Sequence, residues 1–171
     1  MLKILIVEDE PLLATTLKQL IELNPRFQVT SIADDLATAL EAVEERRPDL
    51  ALIDLQLARG STGFSVAVKL NELGIACLFT TGKAPPFAMP DLALGCLAKP
   101  YTEEDVVRAL KAAEDKLRGR ERLRPSLPEN LMIYNPDQTP DGGCEETFLD
   151  PDAYAARRSI RTRLTRWLAA T

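Results

Sequence analysis

An aspartate stands at the end of a short apolar run in the first third of this 171-residue sequence. The four residues from Leu50 to Ile53 are all apolar, and Asp54 follows them directly. Such a run is typical of a strand buried on both faces of a parallel sheet. Because an unpaired charge is too costly to bury, we expect Asp54 at the carboxyl end of this strand, where open α/β sheets place their ligands.

Other polar side chains stand at the ends of further apolar runs. Glu8 and Asp9 follow the first run, Thr81 ends the fourth, and Lys99 follows the fifth. If these runs are parallel strands, right-handed crossovers put all their carboxyl ends on one edge of the sheet. The sequence therefore predicts that these four side chains gather around Asp54.

The elements that would position these residues alternate between strands and helices. The predicted strands span residues 3–7, 27–33, 50–54, 75–81 and 94–98, and helices are predicted between them and from residue 102 to about 123. Short loops join them, which indicates a doubly wound, five-stranded parallel sheet of the α/β class. Residues 82–90 contain three prolines, so we expect the fourth helix to be reduced.

Residues 1–124 resemble a response-regulator receiver domain of two-component signalling. The resemblance is carried by the Glu8-Asp9 pair, Asp54, Thr81 and the dipeptide Lys99-Pro100, in this order and at these strand ends. It implies a flavodoxin-like fold in which Asp54 accepts a phosphoryl group from a histidine kinase. It further implies Mg²⁺ as cofactor, with the backbone carbonyl of Gln56 among its ligands, and a cis peptide bond before Pro100.

The residue types suit that chemistry. Phosphoryl transfer to a carboxylate needs an ionised acceptor and neutralisation of the charge on the phosphoryl oxygens. Asp9 and Asp54 suit Mg²⁺, which prefers oxygen ligands and keeps several waters, and we expect Glu8 to act through one of these waters. Lys99 offers a mobile charge to one phosphoryl oxygen, and the Thr81 hydroxyl offers a hydrogen bond to another.

Three features depart from the commonest receivers. The loop after Asp54 lacks the usual methionine-proline step, and Cys96 replaces an aromatic switch residue three positions before the lysine. Residues 79–83 resemble the Phe-Ala-Thr-Gly segment of receivers associated with histidine kinases of the HWE type, whose fourth helix tends to be reduced. We therefore expect phosphorylation to be read through the Gly82–Pro90 loop.

Composition excludes several other classes. The sequence has no histidine, which excludes a phosphohistidine carrier and histidine metal sites, and its net charge of -5 argues against general nucleic-acid binding. The cysteines Cys77, Cys96 and Cys144 show no zinc-like spacing. No signal peptide or membrane span is recognisable, so a reduced, cytoplasmic protein is expected.

The composition changes after the predicted receiver. Residues 125–150 are rich in proline and acidic residues, which indicates an irregular linker, with residues 131–134 as a candidate short strand or anchoring patch. Residues 151–171 predict an arginine-rich amphipathic helix. Its apolar stripe is a candidate partner or dimer interface, formed by Ile160, Leu164, Trp167 and Leu168. A homodimer could also form through the face of strand 4, strand 5 and the last receiver helix.

Three functions compete. The first is a phosphorylation-controlled regulator that acts through protein partners without a DNA-binding domain. The second is a haloacid-dehalogenase-like phosphatase, but Gln56 stands where that fold needs a second acid. The third is a degenerate receiver that serves as a binding scaffold independently of phosphorylation, which the intact acidic pair, Asp54 and Lys99 disfavour.

Overall fold

The computed structural model describes residues 1–57, 62–83, 85, 88–120 and 127–134. Within these residues lie six strands and four helices. The strands are β1 (Leu2–Val7), β2 (Phe27–Ala33), β3 (Leu50–Asp54), β4 (Ala76–Thr81), β5 (Gly95–Ala98) and β6 (Leu131–Ile133). The helices are α1 (Pro11–Glu22), α2 (Leu36–Glu45), α3 (Gly63–Glu72) and α4 (Glu103–Leu117).

The strands form one sheet in the order β2-β1-β3-β4-β5-β6. The first five are parallel, which confirms the predicted doubly wound arrangement. A sixth strand, β6, pairs antiparallel with β5 and lies in residues 131–134, the candidate short strand of the sequence analysis. This strand comes from the segment predicted as a linker, so the sheet includes residues beyond residue 124. The domain boundary at residue 124 stays a prediction.

Helices cover both faces of the sheet and give the protein two apolar cores. On one face, α1 and α4 bury residues such as Leu17 and Leu110 against the sheet. On the other face, α2 and α3 bury residues such as Val43 and Leu70. All five residues of β3 are buried, which explains why the sequence of this central strand is a continuous apolar run up to its aspartate.

Local sequence signals set the helix ends. Capping boxes begin α2 at Asp35, α3 at Thr62 and α4 at Thr102, where side chains satisfy backbone N–H groups of the first turn. Gly74, with a φ of 71°, follows α3 in the left-handed conformation that commonly ends a helix. Helix α4 ends at Leu117 and not near residue 123 as predicted, because Gly119 takes a φ of 64° just beyond it.

The connection between β4 and β5 contains no helix among its described residues, 82, 83, 85 and 88–94. On the α2–α3 face beside this connection, Leu92, Ala93 and Tyr134 are buried in the core. Tyr134 directly follows β6 and is 0% exposed, so the C-terminal segment supplies an aromatic side chain to this part of the core.

No helix in the described part of the chain is long and apolar enough to span a membrane. The predicted helix at residues 151–171, with Ile160, Leu164, Trp167 and Leu168, lies outside the described residues.

Candidate functional site

Three of the predicted site residues meet at the carboxyl edge of the sheet. The ammonium nitrogen of Lys99 lies 2.8 Å from Glu8 Oε2 and 2.7 Å from Asp54 Oδ2. The two carboxylates are only 4% and 6% exposed, respectively. One lysine at the end of β5 therefore pairs with two buried carboxylates at the ends of β1 and β3.

Backbone contacts fix the Asp54 side chain and the turn that follows it. Asp54 Oδ1 accepts a hydrogen bond of 3.0 Å from the backbone N–H of Gln56. The Leu55 N–H donates to the carbonyl of Thr80 on β4, and the N–H of Gly63, the first residue of α3, donates to the Leu55 carbonyl. Each carboxylate oxygen of Asp54 thus has a donor.

The sheet also places the partners of Asp54. The Glu8 N–H donates to the Ala33 carbonyl at the end of β2, at 2.9 Å. The Lys99 N–H donates to the Thr81 carbonyl at the end of β4, at 2.7 Å. The peptide bond between Lys99 and Pro100 is cis, as the resemblance implied. The backbone at each strand end is therefore tied to its neighbour.

The electrostatics of the cluster follow from burial and pairing. Burial raises the pKa of the Glu8 carboxyl, and the hydrogen bond from Lys99 only partly offsets that effect. Burial by itself would lower the pKa of Lys99, but its hydrogen bonds to Asp54 and Glu8 outweigh burial and raise it. Lys99 therefore stays positively charged at neutral pH and balances part of the negative charge at this edge.

The Thr81 hydroxyl lies at the end of β4 but is engaged with the backbone of Lys83. It donates to the Lys83 carbonyl at 3.1 Å and accepts from the Lys83 N–H at 3.3 Å. The hydrogen bonds described for Asp54 do not include this hydroxyl. Thr81 is thus tied to the start of the β4–β5 connection, and its predicted contact with a phosphoryl group stays a prediction.

Two further predicted metal ligands, Asp9 and Gln56, lie near the ends of β1 and β3. Asp9 follows Glu8 at the end of β1 and is half-buried, and Gln56 is exposed. Among the described residues, no three histidine, cysteine, aspartate or glutamate side chains form a group that could hold a metal ion. A site with two carboxylate side chains and one backbone carbonyl has fewer than three such side chains. It still suits Mg²⁺, because this ion keeps several waters among its ligands.

Sequence reasoning missed two residues near the site. Asn130, just before β6, donates from its side chain to the carbonyls of Ala98 and Pro100, on either side of Lys99. Gly63 lies so close to the end of β3 that a Cβ there would be 2.2 Å from the Asp54 carbonyl oxygen. The glycine at a predicted helix start was a visible signal, whereas nothing in the sequence pairs Asn130 with Lys99.

Known proteins share this sequence pattern. A profile of the response regulator receiver domain matches residues 4–111. The sensory transduction protein LytT of Bacillus cereus is 34% identical over 116 residues, which cover 65% of this chain and 46% of LytT. The nitrate/nitrite response regulator protein NarL of Escherichia coli is 32% identical over 129 residues, which cover 75% of this chain and 50% of NarL. The chain thus spans about half the length of these relatives.

Solved structures share the fold. The signal receiver domain of a modulated diguanylate cyclase from Desulfovibrio desulfuricans matches with a TM-score of 0.61 at 27% identity, covering 71% of this chain and 99% of that one. A CheY-like response regulator receiver domain protein from Methanospirillum hungatei matches with a TM-score of 0.59 at 26% identity, covering 71% of this chain and 98% of that one. With the profile matching more than half of its residues, the chain belongs to the response regulator receiver family and carries the receiver domain of a two-component response regulator.

Proposed function

We propose that Asp54 accepts a phosphoryl group from a histidine kinase and that the chain then signals through protein partners. The observation that carries this proposal is the buried Asp54 carboxylate, held between the Lys99 ammonium at 2.7 Å and the Gln56 N–H at 3.0 Å. A carboxylate fixed in this way is oriented before the donor arrives.

The transfer follows from these contacts. An oxygen of Asp54 forms a bond to phosphorus while the bond from phosphorus to the kinase histidine nitrogen breaks, which gives an aspartyl phosphate. The Lys99 ammonium has a long flexible stem, so it can follow the negative charge from the carboxylate to a phosphoryl oxygen. Glu8, which shares Lys99 with Asp54 before transfer, then keeps the ammonium near the sheet edge.

The available donors fit Mg²⁺ as the cofactor. We assign the side chains of Asp9 and Asp54 and the backbone carbonyl of Gln56 as ligands, with Glu8 acting through a bound water. All are oxygen donors, as this hard cation prefers. Bound Mg²⁺ would neutralise charge on the phosphoryl oxygens, and the carboxylates of this chain would hold it at the end of β3.

Thr81 connects the site to the β4–β5 connection in this proposal. Its hydroxyl bonds to both backbone groups of Lys83. If the hydroxyl donates to a phosphoryl oxygen instead, its bond to the Lys83 carbonyl breaks, and the start of the Gly82–Pro90 loop loses one of its two hydrogen bonds to Thr81. This gives a physical route for the loop to report phosphorylation without an aromatic side chain at Cys96.

We also propose a kinase partner and a homodimer. The resemblance of residues 79–83 to receivers beside HWE-type kinases supports a kinase of that type. A homodimer through the β4–β5 face and α4 would have to accommodate β6, which already pairs with β5. Signalling without a DNA-binding domain is proposed for these 171 residues only, because the matched segments cover only about half of each curated relative.

The test is the intact mass of the protein after incubation with acetyl phosphate and Mg²⁺. We expect one phosphoryl adduct on the wild type and on Asp91→Asn, which removes an exposed acid away from the strand ends, and none on Asp54→Asn. An adduct on Asp54→Asn would show that another residue is the acceptor. A folded, Mg²⁺-binding wild type that gains no adduct, even with a kinase donor, would instead favour the degenerate scaffold.

A further inference from the structure

The segment of residues 127–134, called here the C-terminal strap, runs along the edge of β5 beside the site. At one end of β5, the Tyr134 N–H donates to the Leu94 carbonyl at 2.9 Å. At the other end, the Ala98 N–H donates to the Asn130 carbonyl at 2.8 Å. The strap comes so close to β5 that a Cβ on Gly95 would be 2.3 Å from the Met132 carbonyl oxygen. The strap therefore contributes an integral strand of the sheet, which begins next to Lys99.

The Asn130 side chain contacts the backbone on both sides of Lys99. Its amide nitrogen donates to the Ala98 carbonyl at 3.1 Å and to the Pro100 carbonyl at 3.3 Å. From the other side, the Thr81 carbonyl accepts the Lys99 N–H at 2.7 Å. The backbone of residues 98–100 is thus held between β4 and the strap.

The position of this backbone decides where the ammonium can reach. The flexible stem of Lys99 starts from this held backbone and brings the ammonium to 2.8 Å from Glu8 and 2.7 Å from Asp54. If this backbone is displaced, the stem must change its conformation to keep both contacts, and each contact weakens as its distance or angle departs from the ideal.

The amide of Asn130 is also unusual in its burial. Its Oδ1 atom is buried without a hydrogen-bond partner among the described residues. Such an unsatisfied acceptor is costly, and an apolar residue of similar size would avoid that cost. The side chain donates to the two carbonyls on either side of Lys99, and it also hydrogen-bonds the Asp105 carboxylate at the start of α4.

We propose that Asn130 is a positioning residue for Lys99, which makes the C-terminal strap part of the phosphoacceptor site. This inference builds on the proposed function, since Lys99 acts there on the phosphoryl group. It goes beyond that function by linking the site to residues after the receiver's last helix. Because coupling between two sites is reciprocal, displacement of the strap would weaken the site, and phosphorylation would change how firmly the strap is held.

The first test measures the rate of phosphoryl uptake from acetyl phosphate in the full chain. We expect Asn130→Ala, and the near-isosteric Asn130→Asp that lacks the amide donors, to slow uptake about tenfold, since small displacements of reacting groups have effects of this order. Met132→Ala, which shortens an exposed side chain in the same strand, should keep the wild-type rate. In a Lys99→Ala background, Asn130→Ala should have little further effect, since Asn130 acts through Lys99.

The proposal would be overturned if Asn130→Ala slowed uptake by the same factor in the wild-type and Lys99→Ala backgrounds. It would also be overturned if Asn130→Ala took up phosphoryl groups at the wild-type rate. Loss of cooperative folding in both Asn130 variants would also overturn it, because Asn130 would then be needed for the fold and not for the lysine.

A second readout does not depend on phosphorylation. The ¹³Cε NMR signal of Lys99 should shift in Asn130→Ala and stay unchanged in Met132→Ala. If the wild type takes up no phosphoryl group, the proposed function fails, and this signal alone decides whether Asn130 positions Lys99. An unchanged Lys99 signal in Asn130→Ala refutes the inference.

Discussion

Replacing Gly63 by alanine would place a methyl group against the backbone of the strand that carries Asp54. A Cβ at this position would be 2.2 Å from the Asp54 carbonyl oxygen and 2.7 Å from the Leu55 Cα. Carbon–oxygen contacts of this kind are normally about 3.3 Å or longer, so the two segments must separate by about 1 Å. The atoms in the way are backbone and not the end of a flexible side chain, which means that α3 or the end of β3 must move.

The size of the effect can be estimated from this displacement. Overpacking a buried site typically costs about 1–3 kcal/mol, which for a chain of this length lowers the melting temperature by about 2–12 °C. Misplacement of a reacting group by about 1 Å can slow a reaction about 100-fold. We therefore expect Gly63→Ala to stay folded with a lowered melting temperature and to take up phosphoryl groups about 10–100 times more slowly than wild type.

The assay combines thermal unfolding with the time course of phosphoryl adduct formation by intact mass. Gly82→Ala is the matched control, because a Cβ at Gly82 would meet nothing within 4 Å although this residue directly follows Thr81. A Gly63→Ala variant with wild-type uptake would refute the reasoning even if its melting temperature fell, because the strain would then be relieved away from Asp54. Equal slowing in Gly82→Ala would show that the effect is not specific to the contact with β3.

Three further predictions concern the strap and the cores. Gly95→Ala should loosen β6, so that the Tyr134 amide exchanges hydrogen about tenfold faster; unchanged exchange would contradict the close approach. Tyr134→Phe should raise stability by about 1 kcal/mol, because the hydroxyl is buried without a well-formed hydrogen bond in the described part of the chain, and a lower urea midpoint would argue against this. Burial raises the pKa of Cys77 to about 12 and that of Cys96 to about 11, so the folded state keeps protons that the unfolded chain releases above its ordinary thiol pKa of 9.0. The free energy of unfolding should therefore fall as the pH rises above this value. Folded Cys144→Ser protein should not react with iodoacetamide at about pH 8.5. Adducts on the folded protein would show that the thiols of Cys77 and Cys96 are accessible.

The meeting of Glu8, Asp54 and Lys99 was predictable from the sequence because these residues stand at strand ends. A charge directly after an apolar run, as at Asp54 and Lys99, is a local signal, and parallel topology then brings the strand ends together. The capping box at Thr102 and the reduced helix after β4 were also visible, since capping residues and prolines act within a few positions. The structure has the capping box where the sequence places it, and the described residues between β4 and β5 contain no helix.

The missed features depend on contacts between distant parts of the chain. Residues 131–134 carried a weak strand signal, but no local rule states that such a strand pairs with β5 or that Tyr134 enters the core beside Cys96. The contacts of Asn130 with Ala98 and Pro100 depend on how the strap lies against β5, which nothing near residue 130 encodes. Side-chain direction was likewise not predictable, as the Thr81 hydroxyl bonds to Lys83 in this structure.

The antiparallel pairing of β6 has a consequence during protein synthesis. From Ala98, the last residue of β5, to Tyr134 the ribosome adds 36 residues, which takes about 2–7 s at about 5–20 residues per second. Throughout this interval the growing chain lacks the strand that closes β5, and an unpaired strand edge is a template for association with other chains. A nascent chain stalled before the strap is complete should therefore be prone to aggregation. Emergence of residues 131–134 moves the edge of the sheet from β5 to the three-residue strand β6, and a very short edge strand is a poorer template for pairing.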